Sequence, residues 1–280
     1  LVLYAAADDL LWIRSRDAVI RYDGREFQRT YIHPSMGSPY QFCESPDHRM
    51  YVLTTTGTIL HVSGPDPSVV ARIPQDLFRE QGNRIQLVIP QPGMIWLAGL
   101  YPIIELNGGD ICDATQKYRL PFRNPVRFFG AGDGSLYAVG THEIWMRSDS
   151  SWEPIPTESH MQDAVIRYLS KGPNGQLWVA TSAGVFTHTE EVWTHPLPST
   201  PGDESGPTLV HATETGDVLV AYRTAIKVCR NGSWTDLSSI FPANTYQIQR
   251  IASDRDGNVW ISAAPGGIYR LVEQTTDVIP

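Results

Sequence analysis

One short string recurs along the whole chain. Asp256-Gly257-Asn258-Val259-Trp260-Ile261-Ser262 returns as Asn174-Gly175-Gln176-Leu177-Trp178-Val179-Ala180 and as Asp133-Gly134-Ser135-Leu136-Tyr137-Ala138-Val139. Looser copies are Thr215-Gly216-Asp217-Val218-Leu219, Pro92-Gly93-Met94-Ile95-Trp96, Asp47-His48-Arg49-Met50-Tyr51 and Asp8-Asp9-Leu10-Leu11-Trp12. Aligned on one position, the anchors are Trp12, Tyr51, Trp96, Tyr137, Trp178, Leu219 and Trp260, at spacings of 39, 45, 41, 41, 41 and 41. A second register agrees: Phe27, Trp152, Trp193 and Trp234 each follow an anchor by 15 residues. Self-similarity at this period marks an array of one supersecondary unit.

Each unit reads as four short strands. The Asp-Gly or Asn-Gly step between strands A and B predicts a tight two-residue hairpin turn at positive φ. Strand A is represented by Gln247 to Ala252, and strand B carries the anchor. Strand C is represented by Gly184 to His188 and by Gly267 to Leu271, and strand D follows turns such as Asn231-Gly232. The connection after the second unit is long, and Gln75 to Gln81 is expected to hold a helical turn there. A four-stranded unit cannot cover both its faces alone, whereas seven packed around an axis cover them and leave only short edges. The expected fold is therefore all-β: a seven-bladed β-propeller with four antiparallel strands per blade. An open β-solenoid is the weaker alternative, because no capping segment is evident. The chain 1–280 is expected to be one domain, with blades at about 1–35, 36–76, 82–121, 122–158, 161–199, 205–240 and 245–280. Blade 7 is expected to end in its own strand D, Thr275 to Ile279, so that closure needs no shared blade.

Composition narrows the function. The net charge is −8, with no basic stripe of the kind that phosphate backbones need, so a nucleic-acid partner is not expected. No apolar run approaches the length of a membrane span. The three cysteines, Cys43, Cys112 and Cys229, are far apart and form no CxxC, which argues against a disulfide framework or a zinc site. They are expected to be free thiols, which leaves a cytoplasmic location open. The sequence begins at Leu1 within an apolar stretch and reads as an excised piece of a longer chain, so a signal peptide would not be visible.

Gly175 to Phe186, which runs Gly-x-Leu-Trp-Val-Ala-Thr-x-x-Gly-Val-Phe, resembles the two-component regulator propeller repeat. So do Gly257-Asn258-Val259-Trp260-Ile261 with Gly267-Ile268-Tyr269-Arg270, and the strand D endings Gly232-Ser233-Trp234 and Asp23-Gly24-Arg25-Glu26-Phe27. The resemblance covers the chain, most closely in blades 5 and 7. It implies a recognition or sensing propeller, placed in the periplasm or outside the cell. The Gly-x-Leu-Trp core is also distantly similar to the streptogramin lyase propeller, a metal-dependent enzyme family. No local motif lets its catalytic residues be transferred. Such repeats specify a fold and leave the ligand open.

Columns across the blades locate a partner site. Nine residues before the anchor stand Leu3, Phe42, Leu87, Phe128, Leu169, Val210 and Ile251, all apolar and expected between blades. One residue earlier stand Val2, Gln41, Gln86, Arg127, Tyr168, Leu209 and Arg250, mostly polar or amphipathic. Side chains alternate along a strand, so this column should face the channel. The B–C loops would add Arg16 and Asp17, Tyr101, His142 and Glu143, and Arg223. Arginine forks suit carboxylate and phosphate groups. The expected ligand-binding residues are thus Arg16, Gln41, Gln86, Tyr101, Arg127, His142, Tyr168, Arg223 and Arg250. The expected partner is a small anionic or polar ligand, or a protein segment, at the channel mouth. The leading function is non-catalytic recognition, with no catalytic residue, metal or cofactor assigned. A lyase- or hydrolase-type enzyme acting through His142, Glu143 and His211 is the alternative, and a rim-binding scaffold is a third. Asp254-x-Asp256-Gly257 has the carboxylate spacing of a calcium loop but falls in an A–B turn, and is assigned to turn chemistry.

Overall fold

In the computed structural model, the described residues are 2–6, 10–81, 84–99, 101–107, 110–122, 126–130, 135–148, 151–157, 161, 163–189, 192–198, 206–241, 247–254, 256–264, 267–272 and 275–279. They form seven four-stranded antiparallel sheets, the blades of a seven-bladed β-propeller. Blade 1 holds β1 (Val2–Ala5), β2 (Leu11–Arg14), β3 (Ala18–Tyr22) and β4 (Phe27–Tyr31). Blade 2 holds β5 (Pro39–Glu44), β6 (Met50–Thr54), β7 (Thr58–His61) and β8 (Ser68–Arg72). Blade 3 holds β9 (Gln86–Gln91), β10 (Met94–Ala98), β11 (Ile104–Asn107) and β12 (Asp110–Asp113). Blade 4 holds β13 (Arg127–Gly130), β14 (Leu136–Val139), β15 (Ile144–Ser148) and β16 (Ser151–Ile155). Blade 5 holds β17 (Ile166–Lys171), β18 (Leu177–Thr181), β19 (Gly184–Thr189) and β20 (Val192–Pro198). Blade 6 holds β21 (Leu209–Ala212), β22 (Val218–Ala221), β23 (Ile226–Arg230) and β24 (Ser233–Asp236). Blade 7 holds β25 (Gln247–Ser253), β26 (Val259–Ala264), β27 (Gly267–Val272) and β28 (Thr275–Ile279), so it does end in its own strand D.

Two compact units emerge, one of residues 1–5, 141–143 and 156–280, the other of residues 6–140 and 144–155. In the first, the inner strands β17, β21 and β25 lie side by side, and β1 lies beside β25. In the second, β5, β9 and β13 do the same. All seven anchor residues are buried, as is every member of the column nine residues before them. Burying an aromatic or aliphatic side chain of this size is worth ~1.5–3 kcal/mol, which explains why the repeat is written most legibly at these positions. The Tyr51–Trp96 spacing of 45 is long because helix α1 (Gln75–Gln81) sits in that connection, as expected. Its Leu77 and Phe78 pack on the cluster around Leu53, Ile59 and Leu97. A second helix, α2 (Ala114–Lys117), is capped by the Asp113 carboxylate, which accepts from Gln116 N at 2.9 Å. Lys117 Nζ then donates to the buried Glu105 at 2.8 Å. Behind α2, Phe122 meets Phe128, Trp145 and Trp152 edge-on, with ring centroids 5.1–6.0 Å apart.

The A–B turns correct one expectation. In blades 2, 5, 6 and 7 they are three-residue loops, whereas Pro92-Gly93 in blade 3 is a two-residue turn between the paired Gln91 and Met94. Gly172 N donates to Gln176 O at 2.8 Å and Gly175 N donates to Gly172 O at 3.0 Å. In this geometry a type I turn is followed by one left-handed residue, so only the glycine needs positive φ. Gly175, Gly216 and Gly257 supply it at 76°, 88° and 78°, and His48 takes the same place in blade 2 at 60°. A two-residue turn with both φ positive does occur between strands C and D of blade 6, at Asn231 (51°) and Gly232 (78°). The Asp133-Gly134 and Asp8-Asp9 turns lie outside the described residues.

Candidate functional site

Strand A is an edge of its own sheet, so half its backbone N–H and C=O groups have no partner within the blade. Unpaired backbone groups of this kind are costly once buried. In blades 2, 3 and 5 a side chain ten residues before the anchor, or two places later, meets this need, and in blade 6 a side chain at the later place reaches a neighbouring side chain instead. Leu87 N donates to Gln41 Oε1 at 3.0 Å. Gln86 binds residue 128 twice, donating from Nε2 to Phe128 O at 2.7 Å and accepting from Phe128 N at 2.8 Å. Ala212 N donates to Ser170 Oγ at 3.0 Å, and His211 Nε2 meets Ser253 Oγ at 2.7 Å. Each link joins strand A of one blade to strand A of the next. Gln41 and Gln86 are half-buried and engaged in this way. Tyr168 is half-buried and packs against a cluster containing Leu209, which is itself buried. Arg127 and Arg250 are exposed, the latter donating from Nη1 to Gln249 O at 2.8 Å. The Val2 side chain lies outside the described residues.

One cavity lies in the second unit. It is a cleft of about 490 Å³ lined by Arg16, Asp17, Ile32, Pro34, Gly37, Ser38 and Thr55. The loop after β2, the β4–β5 connection and the loop after β6 build it. Ser15 N donates to Ala18 O at 3.0 Å and Ile32 N to Asp17 O at 2.9 Å, which fixes the first wall. The facing wall is held by reciprocal bonds, Thr55 N to Ser38 O at 2.8 Å and Ser38 N to Thr55 Oγ1 at 3.0 Å. Gly37, at φ 81°, lets the two loops close. A Cβ there would stand 2.7 Å from Thr56 Cγ2 and 2.9 Å from Thr55 Oγ1. Beneath them the hydroxyls of Thr54, Thr56 and Thr58 run as a chain to Arg72 Nη1. The Arg16 guanidinium is exposed and makes no hydrogen bond or ion pair with a described residue. Asp17 holds Arg29 through Oδ1 at 2.7 Å. The cleft thus presents an uncommitted cation, a half-engaged carboxylate and two hydroxyls over an apolar base of Ile32 and Pro34.

Of the nine residues singled out in the sequence, Arg16 lines this cleft. Tyr101 is half exposed in the blade 3 loop that follows Gly99. In the first unit, His142 is exposed and its Nδ1 lies 3.1 Å from Ala164 O, while Arg223 is exposed in the loop after β22. No hydrogen bond joins His142 to His211. Burial pushes the His211 imidazole down to about 4, so it is neutral near pH 7. Among the described residues no three His, Cys, Asp or Glu side chains gather as a metal set. A second cleft of about 360 Å³ in the first unit is lined by Thr213, Thr215, Asp217, Arg230 and Asn258 among others. Its polar groups are satisfied internally, with Arg230 Nε on Asp217 at 2.8 Å. Asn258 Nδ2 donates to both Asp254 oxygens at 3.0 Å, and Arg270 donates to Asn258 Oδ1. Asp254 also accepts from Asp256 N, Asn258 N and Trp260 Nε1, as turn chemistry requires.

Neither a family model nor a curated protein sequence matches the chain. Solved structures do. The extracellular domain of the putative hybrid two component system BT4673 from B. thetaiotaomicron is 16% identical over 95% of this chain, at TM-score 0.64. This chain spans 37% of that domain's length. A streptogramin B lyase is 15% identical, with 93% of this chain and 89% of the lyase covered, at TM-score 0.62. A structure described as YCF48 bound to D1 peptide is 16% identical, with 88% and 82% covered, at TM-score 0.59. At these identities the likeness is one of fold.

Proposed function

We propose that this chain is a non-catalytic recognition propeller, a single domain, whose loop face binds a small anionic or polyhydroxylated ligand. One observation carries this reading: the uncommitted Arg16 guanidinium stands at the wall of a cleft whose other polar groups are hydroxyls and one carboxylate. A planar fork beside such a space suits a carboxylate or phosphate, and hydroxyl walls suit a ligand rich in oxygen. Arg127, Arg223 and Arg250, with Tyr101, Tyr168, His142, Gln41 and Gln86, form the wider set from which further contacts are drawn. Gln41 and Gln86 rank lowest in it, because their amides already serve the neighbouring strands. The likeness to the extracellular domain of a putative hybrid two component system supports a sensing role. The likeness to a lyase raises the enzymatic alternative through His142, Glu143 and His211. We rank that second, since His142 is bonded to the Ala164 carbonyl and His211 to Ser253.

The test is a calorimetric and thermal-shift screen of the full chain against simple carboxylates, phosphate esters and uronic acids. A charge-assisted hydrogen bond is worth ~1.5–3 kcal/mol, so Arg16→Ala should weaken a true ligand roughly 10- to 150-fold while the fold is kept. A ligand held equally well by Arg16→Ala would remove this reading.

A further inference from the structure

The outer edges of the blades are not alike. Strand D is the second edge of each sheet, and native sheets blunt such edges with proline, bulges, charge or shortness. In β8 the register shifts so that Val70 is an extra residue. Pro154 interrupts β16, and Pro196 and Pro198 interrupt β20. β12 and β24 are four residues long, end in Asp113 and Asp236, and run into helical turns. β28 carries Asp277. β4 is less protected: it has no proline, its register with β3 is unbroken from Phe27 to Tyr31, it bears no carboxylate, and its one charge, Arg29, is paired with Asp17 Oδ1 at 2.7 Å.

What β4 displays is specific. Phe27, Arg29 and Tyr31 alternate onto one strand face, and Phe27 and Tyr31 are 49% and 62% exposed. Thr30, on the other face, is occupied by a hydrogen bond to Gly64 O at 3.0 Å. Phe27 stacks on Tyr22 with ring centroids 4.4 Å apart, and the Arg29 guanidinium lies 4.6 Å over the Tyr31 ring. The result is a continuous aromatic–arginine–aromatic stripe. The charge around it is also unlike the rest of the protein. Residues 14–29 hold five of the 22 Lys and Arg, namely Arg14, Arg16, Arg21, Arg25 and Arg29, but only three of the 30 acidic residues. The Asp23 carboxylate is spent on the turn, accepting from Arg25 N and Glu26 N at 2.9 and 2.8 Å. The Arg25 side chain is exposed and makes no hydrogen bond or ion pair with a described residue.

We propose that β4 is a docking edge for an extended acidic polypeptide segment of a partner protein, which adds beside it as a fifth strand. The open backbone row supplies main-chain hydrogen bonds, the aromatic stripe packs alternate side chains, and Arg25, with the N–H groups that Arg29 does not give to Asp17, selects carboxylates over lysines. This does not rest on a ligand in the Arg16 cleft, although Asp17, which lines that cleft, is the ion-pair partner of Arg29.

The probe is a fluorescein-labelled decapeptide of alternating Glu and Val, measured by anisotropy against the full chain. Two comparison peptides carry Lys for Glu, or methylated amides at every second residue. Saturable binding of the acidic peptide is expected. The N-methylated peptide should bind at least tenfold more weakly and the lysine peptide more weakly still. Arg25→Ala with Arg29→Ala should cost tenfold or more, and hydrogen exchange at residues 27–31 should slow when the acidic peptide is bound. Both arginines are on the surface, so the variant should fold, and circular dichroism checks that it does. No saturable binding, equal binding of the N-methylated peptide, or an unchanged double variant would each overturn the proposal.

Discussion

The His211–Ser253 link turns a packing detail into a pH response. Burial holds the folded imidazole at about 4 against an ordinary 6.5. Between those values the unfolded chain binds a proton at this site and the folded chain does not. Stability from this residue is therefore complete above about pH 6.5, falls as the pH drops, and levels off below about 4. The slope in the window approaches 1.4 kcal/mol per pH unit, and the full loss is at most about 3 kcal/mol, because His211 as a residue is only half-buried. His211→Gln is the matched control, since the amide can meet Ser253 Oγ but does not titrate. Urea melts of both proteins at pH 7.5, 6.5, 5.5 and 4.5 isolate the effect, because the other seven histidines and all carboxylates are common to both. Relative to the variant, the parent should lose roughly 2.5 kcal/mol between pH 7.5 and 4.5. Parallel curves across that range would refute the assignment of a buried neutral imidazole.

Two further outcomes follow from the geometry. Gln86→Leu keeps the volume but orphans both Phe128 N and Phe128 O, and urea melts should record a loss of ~2–4 kcal/mol, with Gln86→Glu, which still accepts from Phe128 N, falling between. Gly99→Ala should lose more than ~3 kcal/mol or fail to accumulate folded, because its Cβ would stand 2.0 Å from Arg84 O at φ 79°, whereas Gly175→Ala, at φ 76° in open space, should cost only ~1–2 kcal/mol on thermal melting.

The architecture was readable because burial repeats. Trp12, Trp178 and Trp260 are buried at the equivalent position of blades 1, 5 and 7, and so they fall on the common pitch. The second register was less informative. Trp193 is buried and donates to Pro156 O at 2.7 Å, whereas Phe27 at the equivalent place is half exposed. That column reports where strand D begins, not what covers it. The polarity of the strand A column was also visible, but its targets were not. Gln86 and Gln41 reach backbone groups 42 and 46 residues away, and a backbone group leaves no mark on the sequence. Most of the cleft was missed for another reason. Ser38, Thr55 and Gly37 sit in loops whose lengths differ from blade to blade, so alignment on the anchors gives them no column. The run Thr54-Thr55-Thr56-Gly57-Thr58 was the available signal, and its meaning depends on the facing loop from Pro34 to Ser38.

The side-chain links between inner strands also bear on how freely such an array can be rearranged. Four joints each have their own key: an amide oxygen from blade 2 to 3, a complete amide from 3 to 4, a hydroxyl from 5 to 6 and an imidazole–hydroxyl contact from 6 to 7. Blades that look interchangeable by period are therefore not interchangeable parts. A shuffled chain with blades 3 and 6 exchanged would keep every anchor at its pitch. It would still present glutamine to a strand shaped for imidazole, and the order of the blades would be written in those few mismatched contacts.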